Sequence, residues 1–183
     1  MNPRRRLAAL FLAATALAIA GCASLRPADY ASERPVLSLQ DYFNGRLEAH
    51  GMFQDRFGKV VKRFTVAMEG TWTGPNREDG VLDERFTFSD GTTQRRVWRL
   101  KALPDGRFSG TADDVVGTAF GEQRGNAFHW TYTLQQPIGD SVYDVQMDDW
   151  MFLVDDRVML NRAEMRKFGL TLGAVTLSFA KKP

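Results

Sequence analysis

The chain has 183 residues, with 24 lysine and arginine side chains, 22 aspartate and glutamate side chains and a single cysteine. Three of the arginines lie in the first six residues, so that without residues 1–21 the formal charge changes from +2 to −1. Such a balance gives no electrostatic support for a nucleic-acid partner. One cysteine excludes an intramolecular disulfide, and the remaining residues, about 160, are enough for one domain with a proper core.

The N-terminus has the pattern of a secretory signal. Three arginines at positions 4–6 precede an apolar run over residues 7–20, and small residues precede Cys22. The run is too short to span a bilayer comfortably, which disfavours a retained membrane helix. We therefore predict that residues 1–21 are a signal peptide.

The residues Ile19-Ala20-Gly21-Cys22 resemble the bacterial lipoprotein box. The resemblance implies that Cys22 is acylated, for example with palmitate, becomes the first residue of the mature protein and binds it to a membrane. An ordinary signal followed by a chance cysteine is the alternative. Ala23 stands where an aspartate would signal retention at the inner membrane, so the resemblance further implies the periplasmic face of the outer membrane.

Residues 22–37 contain Pro27 and Pro35 and no apolar periodicity, which predicts a lipidated tether. Fully stretched, it would hold the domain roughly 50 Å from the membrane at about 3.1 Å per residue. The next residues predict one or two helical turns, because Ser38 is a good N-cap and Gly45 a good terminator.

From Arg46 onward the sequence predicts one strand after another, separated by turn residues at short intervals. The clearest strand covers residues 60–72, where Phe64, Val66, Met68 and Trp72 share one parity and the polar residues share the other. An open sheet of nine or ten antiparallel strands would leave unpaired backbone groups on its two edge strands, and closure of the sheet removes those edges. We predict an all-β fold for residues 38–183: a single up-and-down barrel of the lipocalin or calycin type, with a sandwich as the alternative.

The chain resembles a family of uncharacterised lipoproteins from Gram-negative bacteria, described only as a domain of unknown function. The similarity extends from Tyr42 to Lys181. It is carried by the segments Phe43-Asn44-Gly45-Arg46, Phe53-Gln54-Asp55-Arg56-Phe57-Gly58, Glu69-Gly70-Thr71-Trp72, Gly110-Thr111-Ala112-Asp113-Asp114-Val115-Val116-Gly117, Asp148-Asp149-Trp150-Met151 and Asn161-Arg162. The resemblance implies a lipocalin-like barrel and brings no activity and no catalytic residues.

Motifs for enzyme chemistry are mostly absent. The sequence has no Gly-x-Ser-x-Gly elbow, no phosphate-binding glycine loop and no His-Glu-x-x-His. The two histidines, His50 and His129, alternate away from their apolar neighbours and are predicted to point outward. We therefore assign no catalytic residue, no metal site and no cofactor.

Four charged residues share a strand face with large apolar neighbours: Glu84, Arg96, Asp149 and Arg162. Parity places all four inside the barrel, where a charge is costly unless it is paired. One interpretation is a buried ion-pair network that fixes the strand register. The other is a polar floor of a ligand cavity, in which Arg96 or Arg162 binds a carboxylate or phosphate headgroup and Trp98 and Trp130 line the wall.

Three functions follow from these observations. The first is a lipid-anchored, non-enzymatic barrel that binds a small amphipathic or lipid-like ligand. The second is a structural or interaction protein with a filled barrel, whose outer surface docks on another envelope protein. The third, an enzyme acting on lipids or small esters, lacks a recognisable nucleophile.

Overall fold

A computed structural model of the chain describes residues 25–182. The predicted signal peptide and Cys22 lie outside the described residues, so the signal and the acylation stay predictions. Within the part that is described, no helix is long and apolar enough to cross a membrane.

Ten antiparallel strands close into one up-and-down barrel, in which each strand pairs with the next and β1 pairs with β10. The strands are β1 (Gly45–Asp55), β2 (Val60–Thr73), β3 (Asp79–Phe88), β4 (Thr93–Ala102), β5 (Arg107–Thr111), β6 (Val115–Arg124), β7 (Ala127–Ile138), β8 (Ser141–Leu153), β9 (Val158–Lys167) and β10 (Leu170–Lys181). Before them come a 3-10 turn (Pro27–Tyr30) and a short helix α1 (Leu39–Tyr42), and a second 3-10 turn (Pro104–Gly106) precedes β5. The predicted all-β barrel with a short N-terminal helix is confirmed.

The alternation of side chains explains why these residues form strands around one core. In β2, Phe64, Val66, Met68 and Trp72 are buried, whereas the residues between them are exposed. This is the period of two that places successive side chains on opposite faces of a sheet. The same alternation continues around the ring, so the core is the interior of the barrel.

Three register shifts interrupt the strand pairing, and two of them contain a glycine. The shift between β9 and β10 falls at Gly173, and the shift between β6 and β7 surrounds Gly117. Gly117 has φ +70°, a conformation that few other residues adopt without strain. The third shift, between β1 and β2, falls at Phe53 and Gln54.

One end of the barrel is closed by α1 and the residues after it. Ser38 Oγ accepts a hydrogen bond from the Asp41 N–H, as expected for an N-cap. The Tyr42 hydroxyl donates to the carbonyl oxygen of Phe179, and Trp72 Nε1 donates to that of Phe43 at 3.2 Å. A Cβ at Gly70 would lie 1.9 Å from the Phe43 oxygen, so only glycine permits this approach.

Residues 25–37 pack against the barrel, so the prediction of an extended tether is wrong for this segment. The Tyr30 ring lies 5.0 Å from the Phe152 ring and 5.8 Å from the Trp150 ring on the outer wall of β8. Leu37 is 2% exposed, and its N–H donates to the carbonyl of Gly125. Proline content and missing periodicity indicate irregular backbone, but irregular backbone can still dock through a few apolar anchors.

Candidate functional site

The end opposite α1 is the mouth of the barrel, which is formed by five turns. They connect β1 to β2, β3 to β4, β5 to β6, β7 to β8 and β9 to β10. The helix α1 packs across the other end, so the mouth is the end at which a ligand would enter.

Glu84 on β3 and Arg96 on β4 are directly opposite each other in the barrel wall and both point inward. Arg96 Nη1 lies 3.9 Å from Glu84 Oε2, and the two side chains are 14% and 11% exposed. Glu84 Oε2 is buried and has no hydrogen-bond partner. A buried polar atom without a partner is unusual in a folded protein and indicates a site where a further group can bind.

Arg96 makes its short contacts with Asp114, a residue that the sequence analysis did not assign to the interior. Arg96 Nε and Nη2 donate to the Asp114 carboxylate at 2.9 and 2.8 Å. Asp114 lies in the turn between β5 and β6, and it reaches Arg96 because it continues the β4–β5 register, in which Arg99 pairs with Thr111. The Arg96 guanidinium also lies over the rings of Phe86 and Trp98, at 5.5 and 5.9 Å from their centroids.

Asp149 on β8 is 5% exposed and is the centre of a second polar group. Its carboxylate accepts hydrogen bonds from Trp130 Nε1 at 3.1 Å, from the Tyr132 hydroxyl at 3.4 Å and from the amide of Asn161. Three donors satisfy the carboxylate well. Asp149 therefore connects β8 to the donors on β7 and β9, and its carboxylate has little remaining capacity to accept a hydrogen bond from a ligand.

Burial shifts the pKa of both buried carboxyl groups upward. Burial raises the pKa of Glu84 to about 7, although the nearby Arg96 charge pulls it down. Burial also raises the pKa of Asp149, against the hydrogen bonds of Trp130, Asn161 and Tyr132. Burial alone would lower the pKa of Arg96, but its bonds to Asp114 and the proximity of Glu84 raise it. Near neutral pH Arg96 is thus charged, whereas Glu84 is protonated in part of the molecules and ionised in the rest.

Trp98 and Trp130 are both buried and face the interior as predicted, with ring centroids 4.5 Å apart. Trp98 also meets Tyr132 edge to face at 5.4 Å. These rings form the floor beneath Arg96, where they pack on each other.

Arg162 lies on the outer surface, and its predicted inward orientation is wrong. Its side chain is 58% exposed and its nearest carboxylate is that of Glu164. The inward face of β9 carries Met159, Asn161, Ala163 and Met165 instead. Apolar residues occupy both parities at the start of this strand, and Asn161 faces the core because Asp149 accepts its hydrogen bond.

Above Glu84, toward the mouth, the interior is lined by apolar side chains that pack against the core, and we call this region the vestibule. They face inward but remain partly exposed to solvent, which reaches them through the mouth. The vestibule consists of Phe53, Phe86, Phe88, Val175 and Leu177. Two glycines, Gly51 and Gly173, face the same space and allow close packing there: a Cβ at Gly51 would lie 2.7 Å from Leu177 Cδ2, and one at Gly173 would lie 2.8 Å from the Phe53 ring.

Other features of the described residues lie outside this vestibule. A depression of about 440 Å³ lies on the outer wall at the β6 bulge, between Val116, Phe120, Gln146 and Arg166. Residues 25–182 contain no group of three histidine, cysteine, aspartate or glutamate side chains placed to bind a metal ion. His129 faces outward, stacked on Trp150 and 2.9 Å from Asp148.

Comparison with known proteins supports the fold and the family. A family model described as a protein of unknown function, DUF3833, matches residues 16–181. The chain belongs to this family. A comparison with curated proteins found no match. Among solved structures, the chain is similar to the S-type phycobiliprotein lyase CPES from Guillardia theta, with a TM-score of 0.57 at 7% identity over 80% of this chain and 94% of that one. At this identity the similarity shows the fold alone.

Membership of the DUF3833 family confirms the predicted resemblance at the level of an uncharacterised family. The barrel of the lyase confirms the lipocalin-like architecture. The lipoprotein character of this DUF3833 protein stays a prediction.

Proposed function

We propose that this DUF3833 protein is a lipoprotein of the bacterial envelope that binds a small amphipathic molecule in the mouth half of its barrel. In this proposal the apolar part of the ligand lies in the vestibule and its polar end reaches Glu84. Acylated Cys22 holds the protein at the periplasmic face of the outer membrane. The barrel acts as a carrier or receptor and carries out no covalent chemistry.

The unpartnered Glu84 Oε2 is the observation that carries the proposal. It lies below a vestibule of apolar side chains that solvent reaches. Leaving a buried oxygen without a partner costs about 1–3 kcal/mol, and a ligand that donates a hydrogen bond there removes that cost. The similar fold of a phycobiliprotein lyase fits a barrel with a small-molecule partner.

The charges of the site favour a headgroup that donates hydrogen bonds. Arg96 is already bound by Asp114 and faces Glu84, so the floor presents no free positive charge to a carboxylate or phosphate. Arg162 is outside the barrel and cannot serve as the second cation. We therefore propose an amine or hydroxyl headgroup, which Glu84 binds as an acceptor.

A pair of fluorescent long-chain probes, one ending in an amine and one in a carboxylate, tests this proposal with the full chain in mild detergent. The amine probe should bind more tightly, and Glu84→Leu should weaken it by about tenfold, the cost of one charge-assisted hydrogen bond. Arg162→Met, on the outer wall, is the matched control and should bind as the wild type does. Tighter binding of the carboxylate probe, or no effect of Glu84→Leu, would contradict the proposed headgroup.

A second function has one observation in its favour. The depression of about 440 Å³ lies on the outer wall, where Phe120 is 61% exposed. An interaction protein would dock on that wall and need no ligand inside. If the vestibule is the binding site, Phe120→Ser should still bind the amine probe. If the outer wall is the binding site, Phe120→Ser should abolish binding of the protein partner.

A further inference from the structure

Two neighbouring hairpins at the mouth expose large apolar side chains next to cations. The β1–β2 hairpin presents Phe57 at 80% exposure, and the β9–β10 hairpin presents Phe168 at 89% exposure. β1 pairs with β10, so the two tips lie side by side on the rim. We call this surface the mouth patch; it consists of Arg56, Phe57, Lys59, Val60, Val61, Lys167, Phe168 and Leu170.

The cations of the mouth patch are not neutralised by carboxylates at the tips. Asp55, the acid at the β1–β2 tip, accepts hydrogen bonds from the backbone N–H groups of Phe57 and Lys59 and forms no salt bridge to a described residue. Lys167 Nζ donates to the carbonyl oxygen of Asp144 at 2.8 Å, which leaves its charge uncompensated. Two of the three cations also lie near a ring: Arg56 is 4.7 Å from the ring of Phe57, and Lys167 is 5.0 Å from the ring of Phe168.

Exposed aromatic tips beside free cations are the pattern of a surface that inserts into the interface of an anionic bilayer. Apolar rings enter the headgroup region, and lysine or arginine near the surface is attracted to anionic lipid. A protein partner would need a shaped, continuous contact area, whereas the mouth patch consists of two narrow turns with glycines at their tips, Gly58 and Gly169. We infer that the mouth patch is a docking site for an anionic lipid bilayer.

The mouth patch and the docked N-terminal segment lie toward opposite ends of the barrel. Tyr30 docks near the closed end, against Phe152 and the Gly125 turn. The five residue-to-residue steps from Cys22 to Pro27 reach at most about 18 Å, whereas a strand of ten residues spans about 33 Å. With Cys22 acylated, the mouth would thus face away from the membrane that holds the anchor, toward a second bilayer.

A fluorescent label that responds to its environment can report which end of the barrel meets a bilayer. Cys22→Ser removes the only native thiol, and the full chain then receives one new thiol by Thr171→Cys at the mouth or by Asp156→Cys at the closed end. Both positions are exposed. On addition of vesicles of equal parts phosphatidylcholine and phosphatidylglycerol, the label at 171 should brighten more than the label at 156. Vesicles of phosphatidylcholine alone, or high salt, should weaken the response.

Variants then separate the mouth patch from the N-terminal segment, which is the same in every chain. Phe57→Ser with Phe168→Ser should weaken the vesicle response of the label at 171 by roughly tenfold or more. Val154→Ser with Leu160→Ser removes two exposed apolar residues elsewhere and should leave the response unchanged.

Several results would overturn the inference. They are an equal or larger response of the label at 156, a response that survives loss of both phenylalanines, and no response to anionic vesicles. A label at 171 that is already shielded before vesicles are added would show that another part of the chain covers the patch, and would overturn it too. Binding of the amine probe is measured separately, so the mouth patch and the vestibule can fail independently.

Discussion

Glu84 and Arg96 face each other across β3 and β4, yet Arg96 makes its short hydrogen bonds with Asp114. The guanidinium stays 3.9 Å from Glu84 Oε2, which keeps no hydrogen-bond partner. The barrel thus holds one satisfied ion pair at its mouth and one buried carboxyl group beside it. This arrangement allows Glu84 to serve a ligand while Asp114 keeps Arg96 in place.

The stability of the protein should depend on the protonation of Glu84. Its pKa in the folded protein is raised to about 7 from its usual 4.5. A raised carboxyl pKa favours folding in the protonated state, so its contribution is complete below about pH 4.5 and is lost as the pH rises through 7. Glu84→Gln should therefore be more stable than the wild type at pH 8, by up to about 3 kcal/mol, and similar to it at pH 5. Urea denaturation at the two pH values measures this, and a difference that does not change with pH would contradict it.

Removing Arg96 should be costly because it leaves two carboxylates without their cation. Arg96→Met is expected to lower the free energy of unfolding by about 3 kcal/mol at pH 7.5. Adding Glu84→Gln to that variant should restore part of the loss, since one of the stranded charges is then gone. Additive effects in the double-mutant cycle would show that the two side chains do not interact.

Asn161 should stabilise the barrel through its bond to Asp149. Asn161→Leu removes one donor from a buried carboxylate and should cost about 1–3 kcal/mol. The neighbouring Arg162→Met changes an exposed side chain and should stay within about 0.5 kcal/mol of the wild type. Equal effects of the two substitutions on thermal unfolding would contradict the orientation of β9.

The docking of residues 25–37 can be tested with two glycine substitutions. A Cβ at Gly125 would lie 1.8 Å from the Tyr30 oxygen, whereas Gly139, which also has a positive φ, has no atom within 4 Å of the same position. Both Gly125→Ala and Gly139→Ala should lose about 1 kcal/mol from backbone strain. Only Gly125→Ala should release the segment, which chymotrypsin would then cleave faster after Tyr30. Equal cleavage rates would show that the contact does not hold the segment.

The predicted acylation has a direct test in cells. Cys22→Ser should release the protein from the membrane fraction or leave the precursor uncleaved, because a serine cannot take the acyl chains. More than one chain is expected, since a single chain holds a protein only reversibly. A Cys22→Ser protein that stays with the membranes at its mature size would contradict the anchor.

The sequence predicts the barrel and part of its interior. Alternation identifies the strands because the period of two is repeated along β2, β3 and β8, and it places Glu84, Arg96 and Asp149 inside. It fails for β9, where apolar residues occupy both parities and the burial of Asn161 depends on a partner in another strand. It also misses Asp114, because this residue lies in the turn beyond the last β4–β5 pair, where strand parity assigns no direction to a side chain.

The docked N-terminal segment was unpredictable for a similar reason. Its contacts rest on Tyr30 and Leu37, which are too far apart to form a periodic pattern. The exposed rings at the mouth are visible in the sequence as Arg56-Phe57 and Lys167-Phe168. Only the pairing of β1 with β10 shows that they share one surface.

Native mass spectrometry of the full chain, purified from its own membranes in the mildest detergent that extracts it, tests the central claim most directly. The account predicts a second species, heavier than the protein by the mass of one amphipathic molecule. This species should be lost in Glu84→Leu and kept in Arg162→Met. A spectrum with only the mass of the bare protein, or a bound molecule that Glu84→Leu retains fully, would contradict a ligand site at the mouth of this barrel.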